Sequence, residues 1–385
     1  MNRILFVSNG HGEAAIAERI AEDLRAAGSF ACDHLALVGG DENGRNLAAV
    51  GPRKAMPSGG LIAMGNVRNI VKDLAAGLLG HTLAQLRFVR QSRGTYATVV
   101  AVGDIYALLV ALRSRAPTIY VGTAKSVHVA PYGPFEERVL RRARAVFVRD
   151  EETARALRGH GVAAEAPGNV IVDLFAGGDA AAPGTAYDPT LALFPGSRSS
   201  AYEEAAFLCA IVRAIAGSRI GLGAILSVAP NLDSGTFARV LARDGWTVNQ
   251  DNATAIAPFT LYDGGRPIVT AWSGALGDML GRAALVLGQA GTANEAACAG
   301  GVPVVAFETA GKKSSWYRMR QVGLLGDALL VVRGDRSAAA AAVDALLDDE
   351  PRRMRMGDAG RKRMGSAGGS RAIAHRVAAI AQASA

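Results

Sequence analysis

The chain has 385 residues, 42 Lys and Arg against 34 Asp and Glu, and a formal net charge of +8 at pH 7. With 50% hydrophobic and 20% charged residues it excludes a disordered or fibrous chain and has the length for two domains with sizeable cores. Its three cysteines, Cys32, Cys209 and Cys298, are odd in number and share no metal spacing, so buried thiols are expected rather than a disulfide framework or a metal site.

The first element is the apolar run ILFV at 4–7, with no leader-like segment expected ahead of it. It enters the turn Ser8-Asn9-Gly10-His11-Gly12-Glu13, and the pattern AAIAERIAEDLRAAG predicts a helix that stops at Gly28. A glycine turn between strand and helix suits phosphate, but Glu13 would repel one. Gly10 and Gly12 would instead let sugar and acceptor hydroxyls approach. His11, with a near-neutral intrinsic pKa, suits a general base; Glu13 either orients it, binds a sugar hydroxyl or sits in the helix first turn.

Further buried strands are expected at HLALV (34–38), TVVAVG (98–103), TIYVG (118–122) and AVFVR (145–149). The segment 59–91 mixes apolar faces with Arg68, Lys72, Arg87 and Arg90. It reads either as a membrane-interface element or as a helix pair packed on the sheet. The longest apolar run, 97–112, is divided by Asp104 and is too short to span a bilayer. Asp104 follows a buried strand, where a carboxylate is costly without a purpose; it is a base candidate or the cap of the next helix. Lys125 and Ser126, after the next strand, are candidates for an acceptor phosphate.

A Gly-, Ala- and Pro-rich stretch at 175–189 reads as a linker. Strand patterns then resume at LALF (191–194), GAILSVA (223–229), PIVTA (267–271), ALVLGQ (284–289), VPVVAF (302–307) and ALLVV (328–332). The expectation is α/β: two Rossmann-like domains over 1–175 and 189–365, with mostly parallel sheets facing each other across a cleft, and a final helix at 366–385.

Two loops of the second domain point to a diphosphate. Pro195-Gly196-Ser197-Arg198 leads into a helix for which Ser200 and Glu203 have capping-box spacing. Gln289-Ala290-Gly291-Thr292-Ala293-Asn294-Glu295 leads into a second helix, where Thr292 and Glu295 have that spacing too. Glu295 closes its own helix or accepts from ribose hydroxyls. Helix N-termini and a flanking arginine favour an anion. GKKSSWYRMRQ (311–321) is expected to line the cleft near the donor. The basic run PRRMRMGDAGRKRM (351–364) is an anionic-surface candidate or a solvated helix face; with few aromatics, nucleic acid is not expected as a partner.

LALFPGSRSSAYEE and GQAGTANEAACAGGVPVV resemble two motif segments of the lipid-A-disaccharide synthases. MPSGGLIAMGNVRNIVKDL, VVAVGDIYALL and APGNVIVDLF follow in matching order, and GTAKSVHVAPYGPFEERVLRRARAVFVRDEETARALRGHGV is similar to a divergent branch of that family. The resemblance spans nearly the whole chain. It implies a GT-B fold whose final helix crosses back to the N-terminal domain. It also implies transfer of a GlcNAc-type unit from a UDP-sugar to a lipid-linked or phosphorylated acceptor, with inversion; the expected location is the cytoplasm, either free or peripheral on the inner face of the membrane. Ser197 and Arg198 would contact the donor diphosphate, and Gly291 and Thr292 the phosphate or uridine. The family glutamate would fall on Ala296, one residue past Glu295, and GHGEAA stands where the synthases have GEASGD. No Asp-x-Asp occurs, so neither a metal nor any cofactor beyond the UDP-sugar is expected. A sugar-nucleotide 2-epimerase and a non-catalytic nucleotide-sugar-binding protein are the rival readings.

Overall fold

The computed structural model describes residues 2–38, 45–54, 77–123, 125–175, 188–308 and 315–383. The chain divides into two units, Met1–Leu174 with Gly365–Ala385, and Phe175–Met364. The expected linker lies mostly outside the described residues, as do the segment 56–74, Arg68, Lys72 and residues 311–314.

The first unit alternates β1 (Asn2–Ser8), α1 (His11–Ala27), β2 (Phe30–Ala36), β3 (Ala48–Ala49), α2 (Leu78–Gln91), β4 (Thr98–Gly103), α3 (Ile105–Ala111), β5 (Thr118–Gly122), α4 (Pro134–Leu140), β6 (Ala145–Phe147), α5 (Glu151–Gly159), β7 (Ala164–Glu165) and α6 (Val170–Leu174). Its seven strands run in the order β3-β2-β1-β4-β5-β6-β7. Every pairing is parallel. The order reverses between β1 and β4, so the first helices after these strands leave on opposite faces and their loops diverge. That crevice is where open α/β sheets bind ligands.

The second unit contains β8 (Thr190–Phe194), α7 (Ala201–Ala216), β9 (Gly223–Ser227), α8 (Ser234–Arg243), β10 (Thr247–Asn249), β11 (Thr260–Asp263), β12 (Arg266–Trp272), α9 (Leu276–Leu280), β13 (Ala283–Gly288), α10 (Thr292–Ala299), β14 (Val304–Glu308), α11 (Ser315–Leu325), β15 (Leu329–Arg333), α12 (Arg336–Asp348) and α13 (Glu350–Met364). The order is β10-β11-β12-β9-β8-β13-β14-β15. β12 through β15 repeat the parallel pattern of the first unit, and its reversal falls between β8 and β13. Side-chain alternation builds a core on both faces: Leu191 and Leu193 pack into one cluster, Ala192 and Phe194 into the other. β10 and β11 add an antiparallel edge. Their link to β12 is the two-residue turn Gly264-Gly265, with φ of 57° and 79° at the two glycines, conformations that other residues rarely adopt.

α14 (Gly369–Ala383) belongs to the first unit. Asp173 receives the backbone N–H groups of Gly368 at 2.6 Å and Ser370 at 2.8 Å, and so caps this helix. Ser370 Oγ donates to Asp23 of α1 at 2.5 Å, and Asn2 Nδ2 reaches Ala381 O at 3.2 Å. Gly168 and Gly369 cross backbone to backbone: a Cβ on Gly168 would sit 2.8 Å from Gly369 N. The Gly168–Asp173 stretch of the APGNVIVDLF segment therefore anchors the returning helix.

Two local expectations are corrected. Ser200 is the N-cap of α7, but it is already helical (φ −64°, ψ −16°), and its side chain caps nothing. An extended N-cap is what points the side chain at the N2 and N3 amides. α10 is preceded by Gly291 as N-cap, so Thr292 stands inside the helix and forms no capping box with Glu295.

Candidate functional site

At the reversal point of the first unit, the loops after β1 and β4 are tied together. Asn9 Nδ2 donates to Asp104 Oδ2 at 2.9 Å. Asp104 Oδ1 accepts from Tyr106 N at 3.0 Å and Ala107 N at 3.1 Å, capping α3, a bond pair worth about 1 kcal/mol to the helix. Of the two roles expected for Asp104, the structure shows the cap, and it places the side chain at the strand ends beside Asn9. Asn9 carries a buried Oδ1 with no hydrogen-bond partner among the described residues. Asn9 is not among the candidates that the sequence suggests, although its place between a buried strand and Gly10 is a signal for it.

Glu13 lies across these strand ends. A Cβ on Gly10 (φ +143°) would fall 2.5 Å from Glu13 Oε2, and one on Gly103 (φ +122°) 2.9 Å from Glu13 Cγ. Thr123, after β5, donates to Glu13 Oε1 at 3.5 Å. The room left by Gly10 thus accommodates Glu13 itself, whereas nothing lies within 4 Å of the corresponding position on Gly12. His11 opens α1, and the placement of its side chain lies outside the described residues.

Lys125 and Ser126 are engaged by the protein. Lys125 Nζ pairs with Glu136 Oε2 at 2.5 Å and lies 5.5 Å from the Tyr132 ring centroid. Ser126 is 1% exposed, accepts from His128 N and meets Thr153 Oγ1. Their bonding fastens the loop after β5, and the expected acceptor-phosphate contact has a buried hydroxyl and an already paired ammonium.

In the second unit the reversal point brings together the two loops read as diphosphate sites. Gln289 N bonds Phe194 O at 2.8 Å, which ties the end of β13 to the end of β8. Gly196 has φ +110°, a conformation that calls for glycine, and the space beside its Cα is open. Ser197 and Arg198 are exposed beyond it, and Ser197 O accepts from Asn231 Nδ2 at 2.9 Å.

Gln289 organises this corner. Its Oε1 accepts from Arg318 at 2.6 Å and Phe307 N at 3.3 Å, while Nε2 donates to Glu204 and Phe307 O, both at 3.2 Å. Four bonds exhaust a primary amide, so this side chain has no capacity left for a ligand. Arg318 is 4% exposed and also bonds Gln321 Oε1 at 2.5 Å. Asn294 is wholly buried and donates to Gly288 O at 3.2 Å, filling the place of a Gly288 side chain. Asn294 and Gln289, both expected on the ligand, instead hold the turn that presents Gly291, Thr292 and Ala293.

Tyr317 of α11 stands directly over Gly291, where any side chain would strike its hydroxyl. Burial raises the Tyr317 pKa, and the Glu295 charge raises it further against the opposing charges of Arg318 and Arg198. Arg198 and Glu295 therefore both act on Tyr317. Ala296 is in the core, whereas Glu295 is partly exposed. A glutamate at 296 would point inward from this helix, so Glu295 is the carboxylate on the outer side.

In the basic run at 351–364, Arg352, Arg355, Arg361 and Lys362 are exposed, while two arginines are engaged by the fold. Arg363 donates to Leu324 O at 3.0 Å and Gly323 O at 2.7 Å, near the C-terminus of α11, and Arg353 donates to Leu346 O and Leu347 O at that of α12. Cations at helix C-termini are favoured by the backbone dipoles and satisfy orphan carbonyls. Among the described residues no group of three His, Cys, Asp or Glu side chains is placed to hold a metal, and no helix is long and apolar enough to cross a membrane.

No protein-family model matches the chain, and no curated protein matches it. Solved structures do. CalG4, the calicheamicin glycosyltransferase, matches with a TM-score of 0.59 at 15% identity over 99% of this chain and 98% of its own. S. aureus MnaA in its co-structure with UDP matches with 0.58 at 13% over 99% and 97%. The UDP-GlcNAc 2-epimerase from Neisseria meningitidis bound to UDP-GlcNAc matches with 0.53 at 11% over 98% and 100%. At such identities the likeness is one of fold: the chain has the GT-B architecture of two Rossmann-like α/β domains with mostly parallel sheets.

Proposed function

We propose that the protein is a UDP-sugar-dependent glycosyltransferase that moves a GlcNAc-type unit to a lipid-linked or phosphorylated acceptor. The observation that carries the nucleotide part is the junction of β8 and β13, which brings together the loops Gly196-Ser197-Arg198 and Gly291-Thr292, with Tyr317 over Gly291 and within reach of the Arg198 charge. Open backbone at Gly196 and the exposed guanidinium of Arg198 suit a diphosphate, which the arginine can bind by two parallel N–H bonds. Two neighbours of the same fold were solved with UDP or UDP-GlcNAc, which supports a nucleotide-sugar donor. The lipid or phosphosugar acceptor rests on the resemblance to the lipid-A-disaccharide synthases.

In this reading an acceptor hydroxyl oxygen bonds to the sugar anomeric carbon as the bond from that carbon to the diphosphate oxygen breaks. The hydroxyl proton passes to a base, and negative charge collects on the leaving diphosphate. Arg198 stabilises that charge. The base is drawn from His11 and Asp104. Asp104 Oδ1 is spent on the α3 cap, and Oδ2 keeps one lone pair beside Asn9. Transfer in wild type that falls about 10²–10⁴-fold in the variant lacking the base would identify it.

The second reading, UDP-sugar 2-epimerisation, is favoured by the match to the Neisseria meningitidis epimerase. The loop Gly10-His11-Gly12-Glu13 lacks the Gly-Thr-Arg-Pro-Glu expected of that family. Incubation with UDP-GlcNAc and no acceptor separates the two: C2-epimerised product supports the isomerase, and turnover only with an added acceptor supports the transferase.

A further inference from the structure

The opposite edge of the first unit, where its parallel strands begin, is built differently. Arg3, Arg93, Thr95, Tyr96, Ser114 and Arg115 help to line an open groove there of about 520 Å³, and among the described residues no carboxylate lines it. Arg90 and Arg113 lie close enough to Arg93 that their charges, with that of Arg115, add to partial desolvation in lowering its pKa. Among the described residues none of Arg90, Arg93, Arg113 and Arg115 forms an ion pair with a carboxylate.

The guanidinium groups of Arg3 and Arg93 are bonded within the protein, and the turn fixes the backbone of Arg115. Arg3 is fixed by Asp33 at 2.5 Å, and Tyr96 donates to the same carboxylate oxygen at 2.9 Å. Arg93 Nε donates to Arg113 O at 3.2 Å, which leaves its two terminal nitrogens to point elsewhere. Arg115 has φ +62°, and no other described non-glycine residue has a positive φ. Ser114 locks that turn: its Oγ donates to Ala111 O at 2.7 Å and accepts from Ala116 N at 3.2 Å. Arg115 ends the short helical turn Leu112–Ser114 as its left-handed C-cap, its N–H bonding Leu112 O, so the fold itself sets the backbone from which this side chain projects. Converging like charges repel one another, and a bound anion offsets that repulsion.

We propose that this groove binds a phosphate-bearing anion of at least two negative charges, at a site distinct from the nucleotide loops of the second domain. Arginine forks match phosphate oxygens in pairs, and Arg93 and Arg115 supply two such forks in one concavity. The phosphate belongs either to a soluble metabolite or to a lipid headgroup.

Inorganic pyrophosphate is the probe for the soluble case, titrated by calorimetry at low salt into the full chain carrying Arg198→Ala, which weakens the competing diphosphate contact. The comparison protein adds Arg93→Gln and Arg115→Gly. Glycine accepts φ +62° without strain, so this variant keeps the turn, and its thermal transition checks that it does. Vesicles containing phosphatidic acid, whose phosphomonoester headgroup carries up to two negative charges, against phosphatidylcholine, probe the lipid case by co-sedimentation. Saturable pyrophosphate binding that weakens at least about tenfold in the comparison protein, and weakens with added salt, supports a soluble ligand. Co-sedimentation with the anionic vesicles alone, lost in the comparison protein, supports the headgroup. Binding to neither probe, or binding that the two substitutions leave unchanged, overturns the proposal.

Discussion

Acidification should destabilise this protein through one buried imidazole. His34 on β2 is 7% exposed, and its Nε2 lies 2.8 Å from Ser8 Oγ, which is itself fully buried at the end of β1. Burial, and secondarily the charge of Arg53, push its pKa from 6.5 down to about 4. In the unfolded chain the same ring takes its proton near 6.5. Between those two values the unfolded state binds more protons, so stability is fully present above about pH 6.5 and falls as the pH drops toward 4. At 1.36 kcal/mol per pH unit, that interval is worth about 3 kcal/mol. Urea unfolding at several values between pH 7.5 and 4.5 measures it, on wild type and on His34→Gln, which keeps a partner for Ser8. The other titrating groups, His81 with its lowered pKa included, are common to both proteins and cancel in the difference. The wild-type advantage over the variant should shrink by about 2–3 kcal/mol over that range. A difference that stays constant across it would refute the assignment of His34 as a neutral, buried ring.

The remaining predictions concern packing, anchoring and the strand-end loops. Gly360→Ala in α13 would place a Cβ 3.0 Å from the carbonyl carbon of Cys298, and overpacking of backbone should cost about 1–3 kcal/mol. Gly80→Ala in α2 meets nothing within 4 Å and should stabilise by up to about 1 kcal/mol, so the same substitution has opposite signs in thermal melts of the two variants. Asp173→Ala removes both backbone acceptor contacts that start α14; hydrogen exchange should quicken in 369–383 well before the core strands respond, with a stability loss of about 1–3 kcal/mol. Asp104→Asn keeps a good N-cap, so its melting temperature should move little; if Asp104 is the base, transfer falls by about 10²-fold or more, and if His11 is, that loss appears in His11→Gln instead.

The sheets were legible because their strands are buried on both faces and read as unbroken apolar runs flanked by glycine. Strand order followed less directly, since parallel pairing leaves no mark in a sequence beyond the rule of right-handed crossovers. β10 and β11 were missed because they are short and half-exposed, although Asp263-Gly264-Gly265-Arg266 was a hairpin signal. Loop positions at the strand ends were legible for the same reason as the strands. The work of individual side chains there was not. Gln289 and Asn294 look like ligand groups in sequence, yet they bond backbone that the fold brings to them from Phe307 and Gly288. Gly10 reads as room for a ligand in sequence, yet Glu13 occupies that space. Lys125 could not be matched to Glu136 by spacing alone, because the intervening loop decides whether the two meet.

The central claim is that the second domain binds the diphosphate of a UDP-sugar at the β8–β13 junction, and calorimetric titration of UDP into the full chain tests it most directly. Wild type should bind one UDP saturably. Arg198→Ala, which deletes a charge-assisted contact worth about 1.5–3 kcal/mol, should weaken that binding roughly tenfold to a hundredfold. No UDP binding by wild type, or equal affinity in Arg198→Ala, would contradict the account.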